Sequence, residues 1–123
     1  MGTISALMLA RAYHGAWTGG RIEEAAEYLA DDLSVEVPIN AYPTKVSFVE
    51  AVGFTQKMAS DVNVLSEFGS DDEALILYDM SLPFGVMRVA EHFTASGGKI
   101  NRIRQIHDTH ALRAAAAAAP GPE

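Results

Sequence analysis

The chain has 123 residues, enough for one domain and too few for two of ordinary size. Its 9 basic and 16 acidic side chains give a formal net charge of -7, which disfavours binding to nucleic acid or to an anionic membrane surface. The chain has no cysteine, which excludes disulfides, thiol nucleophiles and cysteine-bound metal clusters.

Apolar spacing predicts three helices and five strands. Helices are predicted where apolar residues recur every three or four positions, and strands where apolar and polar residues alternate. The residues expected on the inner face of the third helix are Val46, Val49, Val52 with Gly53, and Met58. Pro38 places the first strand near a sheet edge or a bulge. The predicted helices cover residues 3–18, 21–31 and 45–60, and the predicted strands cover residues 33–39, 63–68, 74–82, 85–95 and 99–108.

Short connections join the last four predicted strands. Turn residues stand at 70–72, 83–84 and 96–98, so these strands are expected to be antiparallel neighbours. Helices packed on one face of a mostly antiparallel sheet define an α+β domain. We expect this domain to cover residues 1–112, followed by a flexible tail rich in alanine and proline at residues 113–123.

The N-terminal residues lack the pattern of a secretion signal. Residues 1–10 are apolar, but no basic region precedes them, and Arg11 and His14 interrupt the apolar run. The sequence has no run of about 20 apolar residues that could span a bilayer. We therefore expect a cytoplasmic protein.

Three segments carry a resemblance to a known superfamily. Residues 12–32 (AYHGAWTGGRIEEAAEYLADD) resemble its opening helix pair, residues 33–38 (LSVEVP) its first strand, and residues 84–108, which include AEHFTASGGKINRIRQIHD, its last hairpin. On these segments the chain resembles the nuclear transport factor 2-like superfamily, in the bacterial branch of ketosteroid isomerases, limonene epoxide hydrolases and SnoaL-like polyketide cyclases. The resemblance implies a cone-like α+β barrel, in which three N-terminal helices and a curved sheet enclose a deep pocket. It also implies a homodimer formed through the convex sheet face.

The resemblance also assigns roles to individual residues. Tyr13 matches the helix tyrosine that donates to the oxyanion in ketosteroid isomerases, and Glu91 matches the carboxylic acid that assists it. Val37 stands where the isomerase has its catalytic base, and Gln105 stands where the epoxide hydrolase has an aspartate. We therefore predict neither of those two reactions, and we expect no cofactor.

Strand alternation, taken with the resemblance, predicts which side chains line the pocket. If residues 83–84 form a two-residue turn, Met80 lies opposite Met87, and Asp79 pairs with Arg88 on the outer face. The predicted lining is mostly apolar with a few polar groups, as is usual for a small-molecule site. It comprises Ile76, Tyr78, Met80, Met87, Val89, Glu91, Ile103, Gln105 and His107, with Tyr13, Trp17, Val37, Tyr42 and Phe54 closing the pocket. The predicted dimer surface comprises Leu75, Leu77, Ala90, Arg102, Arg104 and Ile106.

Two side chains are candidates for acid–base chemistry. Histidine changes charge near neutral pH, so His107 is a candidate general base; alternatively it is a pocket-edge histidine bound to a backbone carbonyl. Glu91 is either a buried acid or a structural partner of Tyr13, Gln105 or His107. The sharpest hypothesis is a Glu91–His107 dyad on neighbouring strands. No metal site is predicted, because His107 and His110 lack a third, acidic ligand.

Two aromatic residues of the first helix could belong either to the pocket or to the hydrophobic core. Tyr13 is either a pocket hydroxyl or a core tyrosine whose hydroxyl has a partner. Trp17 is expected in the core rather than as a platform for a ligand.

Two classes of function are compatible with these residues. The first is a cofactor-free enzyme that isomerises, cyclises or opens an epoxide in a small hydrophobic carbonyl or epoxide compound. In it His107 or Glu91 would move the proton and Tyr13 would stabilise an oxyanion. The second is a non-catalytic small-molecule-binding or dimerisation module of the same fold. For a third alternative, an accessory domain of a larger complex, the sequence has no feature for or against.

Overall fold

The structure, a computed structural model, describes residues 5–110 and residue 114. Its elements in chain order are α1 (Ala6–Thr18), α2 (Ile22–Glu27), β1 (Leu29–Glu36), α3 (Lys45–Met58), β2 (Asp61–Gly69), β3 (Glu73–Leu82), β4 (Gly85–Ser96) and β5 (Lys99–His107). The predicted tail at residues 113–123 lies outside the described residues, except for Ala114. Within the described ranges, no helix is both long enough and apolar enough to cross a membrane.

The five strands form one curved, open sheet in the order β1–β5–β4–β3–β2. The pairs from β2 to β5 are antiparallel, as predicted, and β1 adds to β5 in parallel. β1 is therefore an edge strand, and its register is irregular between Leu29 and Ser34, in agreement with the position that Pro38 indicated. The predicted cone-like α+β architecture, with helices on one face of a mostly antiparallel sheet, is confirmed.

The β3–β4 hairpin has the predicted register. Met80 pairs with Met87 and Asp79 pairs with Arg88. The Arg88 guanidinium donates two hydrogen bonds to the Asp79 carboxylate, of 2.8 and 3.0 Å, on the outer face. Because side chains alternate along a strand, this register turns Met80 and Met87 toward the helices.

Helix α1 packs on the inner face of the sheet and forms the core with it. Its first turn is capped by Ser5, whose hydroxyl accepts a hydrogen bond from the Met8 amide (3.1 Å). The Tyr13 ring meets the Phe93 ring edge to face, with 5.9 Å between centroids. Tyr13, Phe93 and Ile103, the register partner of Phe93, are at most 1% exposed, so this end of the sheet is filled by side chains.

The predicted second helix, residues 21–31, is too long. The helix ends at Glu27, and β1 begins at Leu29. The amide of Ile100 donates to the Tyr28 carbonyl oxygen (2.8 Å), and Lys45 Nζ donates to the Leu29 carbonyl oxygen (2.9 Å). These tertiary bonds take the chain into the sheet against the helical preference of its glutamates and alanines.

The predicted first strand, residues 33–39, is also misplaced, because β1 ends at Glu36. The chain turns at Ile39, which has a φ of 58°, and the Asn40 amide donates to the Pro38 carbonyl oxygen (2.8 Å). This is a three-residue γ-turn, a strained conformation for a β-branched residue. It directs the segment after β1 toward the open side of the sheet.

The inner face of α3 agrees with the prediction only in part, since Val49 and Val52 pack against the core as expected. Val46, expected to face inward, is 66% exposed, whereas Phe48 is only 2% exposed. Thr44 and Ser47 form a capping box that fixes the first turn. The inner stripe therefore starts at Phe48.

The outer face of the sheet carries the residues predicted for dimer contact. Leu75 and Leu77 alternate with inward-facing residues of β3, and Ile106 on β5 is 73% exposed. The homodimer itself stays a prediction.

Candidate active site

A cavity of about 250 Å³ lies between α1, α3, the segment after β1 and the inner face of β3, β4 and β5. Of the residues predicted from the sequence, those that line it are Tyr13, Trp17, Val37, Tyr42, Phe54, Tyr78, Met80, Met87, Val89, Glu91, Gln105 and His107. Their location in one cavity is as expected, and their role in substrate binding or catalysis stays a prediction.

Two predicted lining residues are placed elsewhere. Ile103 and Ile76 do not line the cavity, and they are 0% and 1% exposed. Both face inward as strand alternation required, but they lie at the filled end of the sheet. Alternation gives the face on which a residue lies, and the packing of α1 then decides which part of that face remains open.

Helix α3 contributes more residues to the cavity than Phe54, the one predicted from the sequence. The lining also includes Pro38, Asn40, Phe48, Ala51, Val52, Thr55, Met58, Leu82 and Phe84. A helical stripe through Phe48, Val52, Thr55 and Met58 was present in the sequence at spacings of three and four residues. Val52 and Met58 were expected to face inward, whereas Phe48 and Thr55 were obscured by the equally spaced valines that begin at Val46.

Glu91 is the one carboxyl among the described residues that line the cavity, and it is 1% exposed. Gln105 Nε2 donates to its Oε2 (3.0 Å), and the Tyr78 hydroxyl donates to its Oε1 (3.1 Å). Burial raises the pKa of Glu91 to about 7, although these two hydrogen bonds oppose the rise. Near neutral pH, Glu91 is therefore protonated in some molecules and ionised in others.

Two tyrosines beside Glu91 remain protonated. Burial, with a further effect of the Glu91 charge, raises the pKa of both Tyr13 and Tyr78 well above the usual value of 10. The Tyr78 hydroxyl is already bonded to Glu91. Within residues 5–110, no group accepts a hydrogen bond from the Tyr13 hydroxyl, so its proton is available to a ligand.

The predicted Glu91–His107 dyad is wrong as a direct contact. On β5 the register partner of Glu91 is Gln105, and that of His107 is Val89. Glu91 and His107 are therefore diagonal neighbours on one face, with Cα atoms about 7–8 Å apart in such a position. The Glu91 oxygen on the β5 side, Oε2, accepts its hydrogen bond from the Gln105 amide instead.

His107 makes its own contact with the backbone. Its Nδ1 lies 3.2 Å from the carbonyl oxygen of Asp108. Because a carbonyl only accepts, Nδ1 carries the hydrogen and Nε2 is left as the acceptor nitrogen. Among the described residues, no group of three or more His, Asp or Glu is placed to hold a metal ion.

Behind the cavity wall lies His14, for which no role was predicted. It is 5% exposed, and its ring meets those of Tyr78 and Trp17 with centroids 4.6 and 5.4 Å apart. Its Nε2 is buried without a hydrogen-bond partner in the described part of the chain. Burial lowers the pKa of His14 to about 4, against the opposing charge of Glu67.

The fold and the cavity together define a class: a cone-like α+β domain whose helices close a curved sheet over an apolar, acid-bearing cavity. No protein-family model and no curated protein matches the sequence. A crystal structure of a protein from Kribbella flavida DSM 17836 is 30% identical to this chain, with a TM-score of 0.87, and the match covers 94% of this chain and 97% of that one.

Two further structures are similar in fold. A nuclear transport factor 2-like protein of unknown function from Cytophaga hutchinsonii is 14% identical with a TM-score of 0.78, covering 91% of this chain and 97% of that one. A candidate ketosteroid isomerase from Kribbella flavida is 18% identical with a TM-score of 0.73, covering 96% and 83%. The chain has the fold of the nuclear transport factor 2-like proteins.

Proposed function

We propose that this protein is a cofactor-free acid–base enzyme of the SnoaL-like and ketosteroid isomerase-like branch. Its substrate would be a small, neutral, mostly apolar carbonyl or epoxide compound, which it would isomerise, cyclise or open. The observation that carries the proposal is Glu91, a fully buried carboxyl in an otherwise mostly apolar cavity. The expected cytoplasmic location and homodimer belong to the same proposal.

Glu91 is the group that we assign to proton transfer. Proton transfer is fastest when the pKa of the catalytic group lies near the working pH, and burial raises the pKa of Glu91 to about 7. As a carboxylate it can take a proton from a carbon next to a carbonyl, and as an acid it can return that proton. Ketosteroid isomerases have their catalytic base at the position that Val37 occupies in this chain. Glu91 would take over the role of that base.

Tyr13 supports this chemistry as a hydrogen-bond donor. Its raised pKa keeps the hydroxyl protonated, and none of the described groups uses its hydrogen. A fixed donor that is itself buried, as Tyr13 is, stabilises negative charge that develops on a substrate oxygen. His107, whose Nε2 is left as an acceptor, is the second candidate for proton transfer.

The size of the cavity limits the substrate. About 250 Å³ is below the roughly 300–1,000 Å³ that is usual for drug-sized ligands. We therefore expect a compound with a single ring or a short chain rather than a polycyclic one.

Exchange of hydrogen for deuterium tests the proposal without knowledge of the natural substrate. The loss of the α-proton signals of cyclohexanone in D₂O, followed by proton NMR, reports proton abstraction directly. Wild-type protein should accelerate the exchange, and Glu91→Gln should reduce the acceleration by at least about 100-fold. Glu50→Gln, which removes the same charge from an exposed position on α3, should leave the rate unchanged. Equal exchange by Glu91→Gln and wild type would refute the role of Glu91.

One observation favours the alternative of a non-catalytic binding module. Both carboxylate oxygens of Glu91 already accept hydrogen bonds from Tyr78 and Gln105, as in a structural network. A binding module would quench or shift the fluorescence of Trp17, the single tryptophan, when cyclohexanone is added, without any exchange of its protons. In an enzyme, His107→Gln should change the exchange rate more than the affinity, whereas a binding module has no exchange rate to change.

A further inference from the structure

We propose that the cavity is also a binding site for a small organic ammonium ion, with Glu91 as its counter-ion and aromatic rings as its walls. The inference goes beyond the proposed proton transfer, because it concerns binding alone and requires no chemical step. It rests on three observations: the uncompensated carboxyl, the composition of the walls and the size of the cavity.

The first observation is the absence of a positive partner for Glu91. Among residues 5–110, its carboxylate accepts hydrogen bonds only from Tyr78 and Gln105, which are both neutral. No lysine or arginine is among the described residues that line the cavity. A buried carboxylate without a counter-charge is costly, and a positively charged ligand would supply that charge. The formal net charge of -7 also favours the approach of cations.

The second observation is the concentration of aromatic rings around this carboxyl. Seven of the chain's ten aromatic residues line the cavity. They come from α1 (Trp17), the segment after β1 (Tyr42), α3 (Phe54) and the sheet (Tyr78), so they surround the space rather than occupy one side. Faces of aromatic rings attract alkylammonium groups, and this attraction is strongest where water is excluded.

The third observation is the size of the cavity. About 250 Å³ can hold a quaternary ammonium group with a short tail.

Other titratable side chains also line the cavity. Besides Glu91, they are Tyr13 on α1, Tyr42 after β1, Tyr78 on β3 and His107 on β5, and α3 contributes none. Protonation of His107 would oppose a cation, in the same direction as protonation of Glu91, so the test must separate the two.

Choline and its uncharged carbon analogue 3,3-dimethyl-1-butanol provide a matched pair of probes. They have nearly the same shape and differ by one positive charge, and neither gains or loses a proton near neutral pH. Titration followed by Trp17 fluorescence at pH 8 should give an affinity for choline on the order of tenfold higher than for the alcohol. As Glu91 is protonated below pH 7, the affinity for choline should fall by about tenfold in total and level off near that for the alcohol, whereas the affinity for the alcohol should not change.

Three variants separate the contributions. Glu91→Gln should reduce the affinity for choline to that for the alcohol and abolish its pH dependence, whereas Glu50→Gln should retain both. His107→Gln should retain the pH dependence, because Glu91 causes it. If Glu91→Gln does not fold, the pH dependence of wild type and of His107→Gln decides. Equal affinities for the two probes, no binding of either, or choline binding that is independent of pH would overturn the inference.

The outcome is separable from that of the proposed function. Exchange of cyclohexanone protons without preferential choline binding would refute only the ammonium site. Choline binding without exchange would support the ammonium site and refute the enzyme.

Discussion

The hydroxyl of Tyr78 donates a hydrogen bond of 3.1 Å to Oε1 of Glu91, although the register partner of Glu91 on β3 is Ile76. The bond therefore runs diagonally across the β3–β4 pair, on the face that encloses the cavity. A phenol is long enough to span this diagonal, whereas a serine or threonine hydroxyl would not reach. The bond joins the ring that packs on His14 to the acid that we assign to proton transfer.

Removal of this hydroxyl should change the acidity of Glu91. In Tyr78→Phe the carboxylate loses one of its two hydrogen bonds, so the pKa of Glu91 should rise further above its value of about 7. Carbon-13 NMR of the glutamate side chains, followed against pH, measures this shift. Tyr28→Phe, which lies outside the cavity, is the control and should not move the Glu91 titration. A Glu91 pKa that is unchanged or lower in Tyr78→Phe would contradict the observed hydrogen bond.

Glu91 should make the protein less stable as the pH rises. Its folded pKa of about 7 lies above the ordinary value of 4.5, so the stability is complete below pH 4.5 and is lost as the pH rises through 7. The loss amounts to about 3 kcal/mol of the free energy of unfolding. His14 acts in the opposite direction over part of this range, and it does so equally in wild type and in Glu91→Gln. Between pH 5 and pH 8, urea unfolding should therefore show wild type and Glu50→Gln losing about 2–3 kcal/mol more stability than Glu91→Gln. An equal pH dependence in wild type and Glu91→Gln would assign the effect to another group.

His14 should have the opposite effect, on the acid side. Its folded pKa of about 4 lies below the ordinary 6.5, so the unfolded chain binds the proton more tightly. Stability is complete above pH 6.5 and decreases by about 3 kcal/mol as the pH falls through 4. In His14→Phe, urea unfolding should lose this part of the acid dependence, whatever the change in overall stability. His110→Phe, at an exposed position, should keep it.

The turn after β1 should be improved by a residue that tolerates a positive φ. Ile39 holds a φ of 58° and is 49% exposed, so it is strained and contributes little burial. Ile39→Asn should raise the free energy of unfolding by about 1 kcal/mol, because asparagine adopts the left-handed region more readily. Val86→Asn, also at an exposed position but in an extended strand, should give no gain. Thermal and urea unfolding of the two variants provide the comparison.

Ile103 should matter for stability and not for binding. Truncation of this fully buried side chain leaves a void beside Phe93, so Ile103→Ala should cost about 2–5 kcal/mol of the free energy of unfolding. The affinity of the folded variant for choline or cyclohexanone should remain that of wild type, because Ile103 does not line the cavity. Val86→Ala, at an exposed position on β4, should change stability by less than about 0.5 kcal/mol. A selective loss of affinity in Ile103→Ala would return Ile103 to the site.

The sheet was the more predictable part of the fold. The length of a hairpin turn and the alternation of apolar and polar residues together determine the register of the two strands. The pairing of Met80 with Met87 and of Asp79 with Arg88 could therefore be derived from the sequence alone. The segment from Tyr28 to Ile39 could not. Its local composition favours a helix and then a longer strand, and the actual boundaries depend on contacts with Ile100 and Lys45, which are distant in the sequence.

The candidate site shows the same division. Alternation places Glu91, Gln105 and His107 on one face, and the structure agrees. It does not determine that Gln105 separates the other two, because that depends on the β4–β5 register beyond the turn at residues 96–98. The burial of His14 could not be predicted either. The spacing of apolar residues along α1 shows that one side of the helix is buried, but it does not show whether a polar residue at the border of that side is buried too.

The parallel pairing of β1 with β5 has a consequence for the order of folding. β2 to β5 can assemble from successive hairpins, whereas β1 must wait for a partner from the other end of the chain, at the entropic cost of closing a long loop. We therefore expect mutations in β1 to accelerate unfolding and to leave the folding rate almost unchanged. A growing polypeptide carries Tyr13 and Trp17 early, but it completes the cavity only after His107 has left the ribosome.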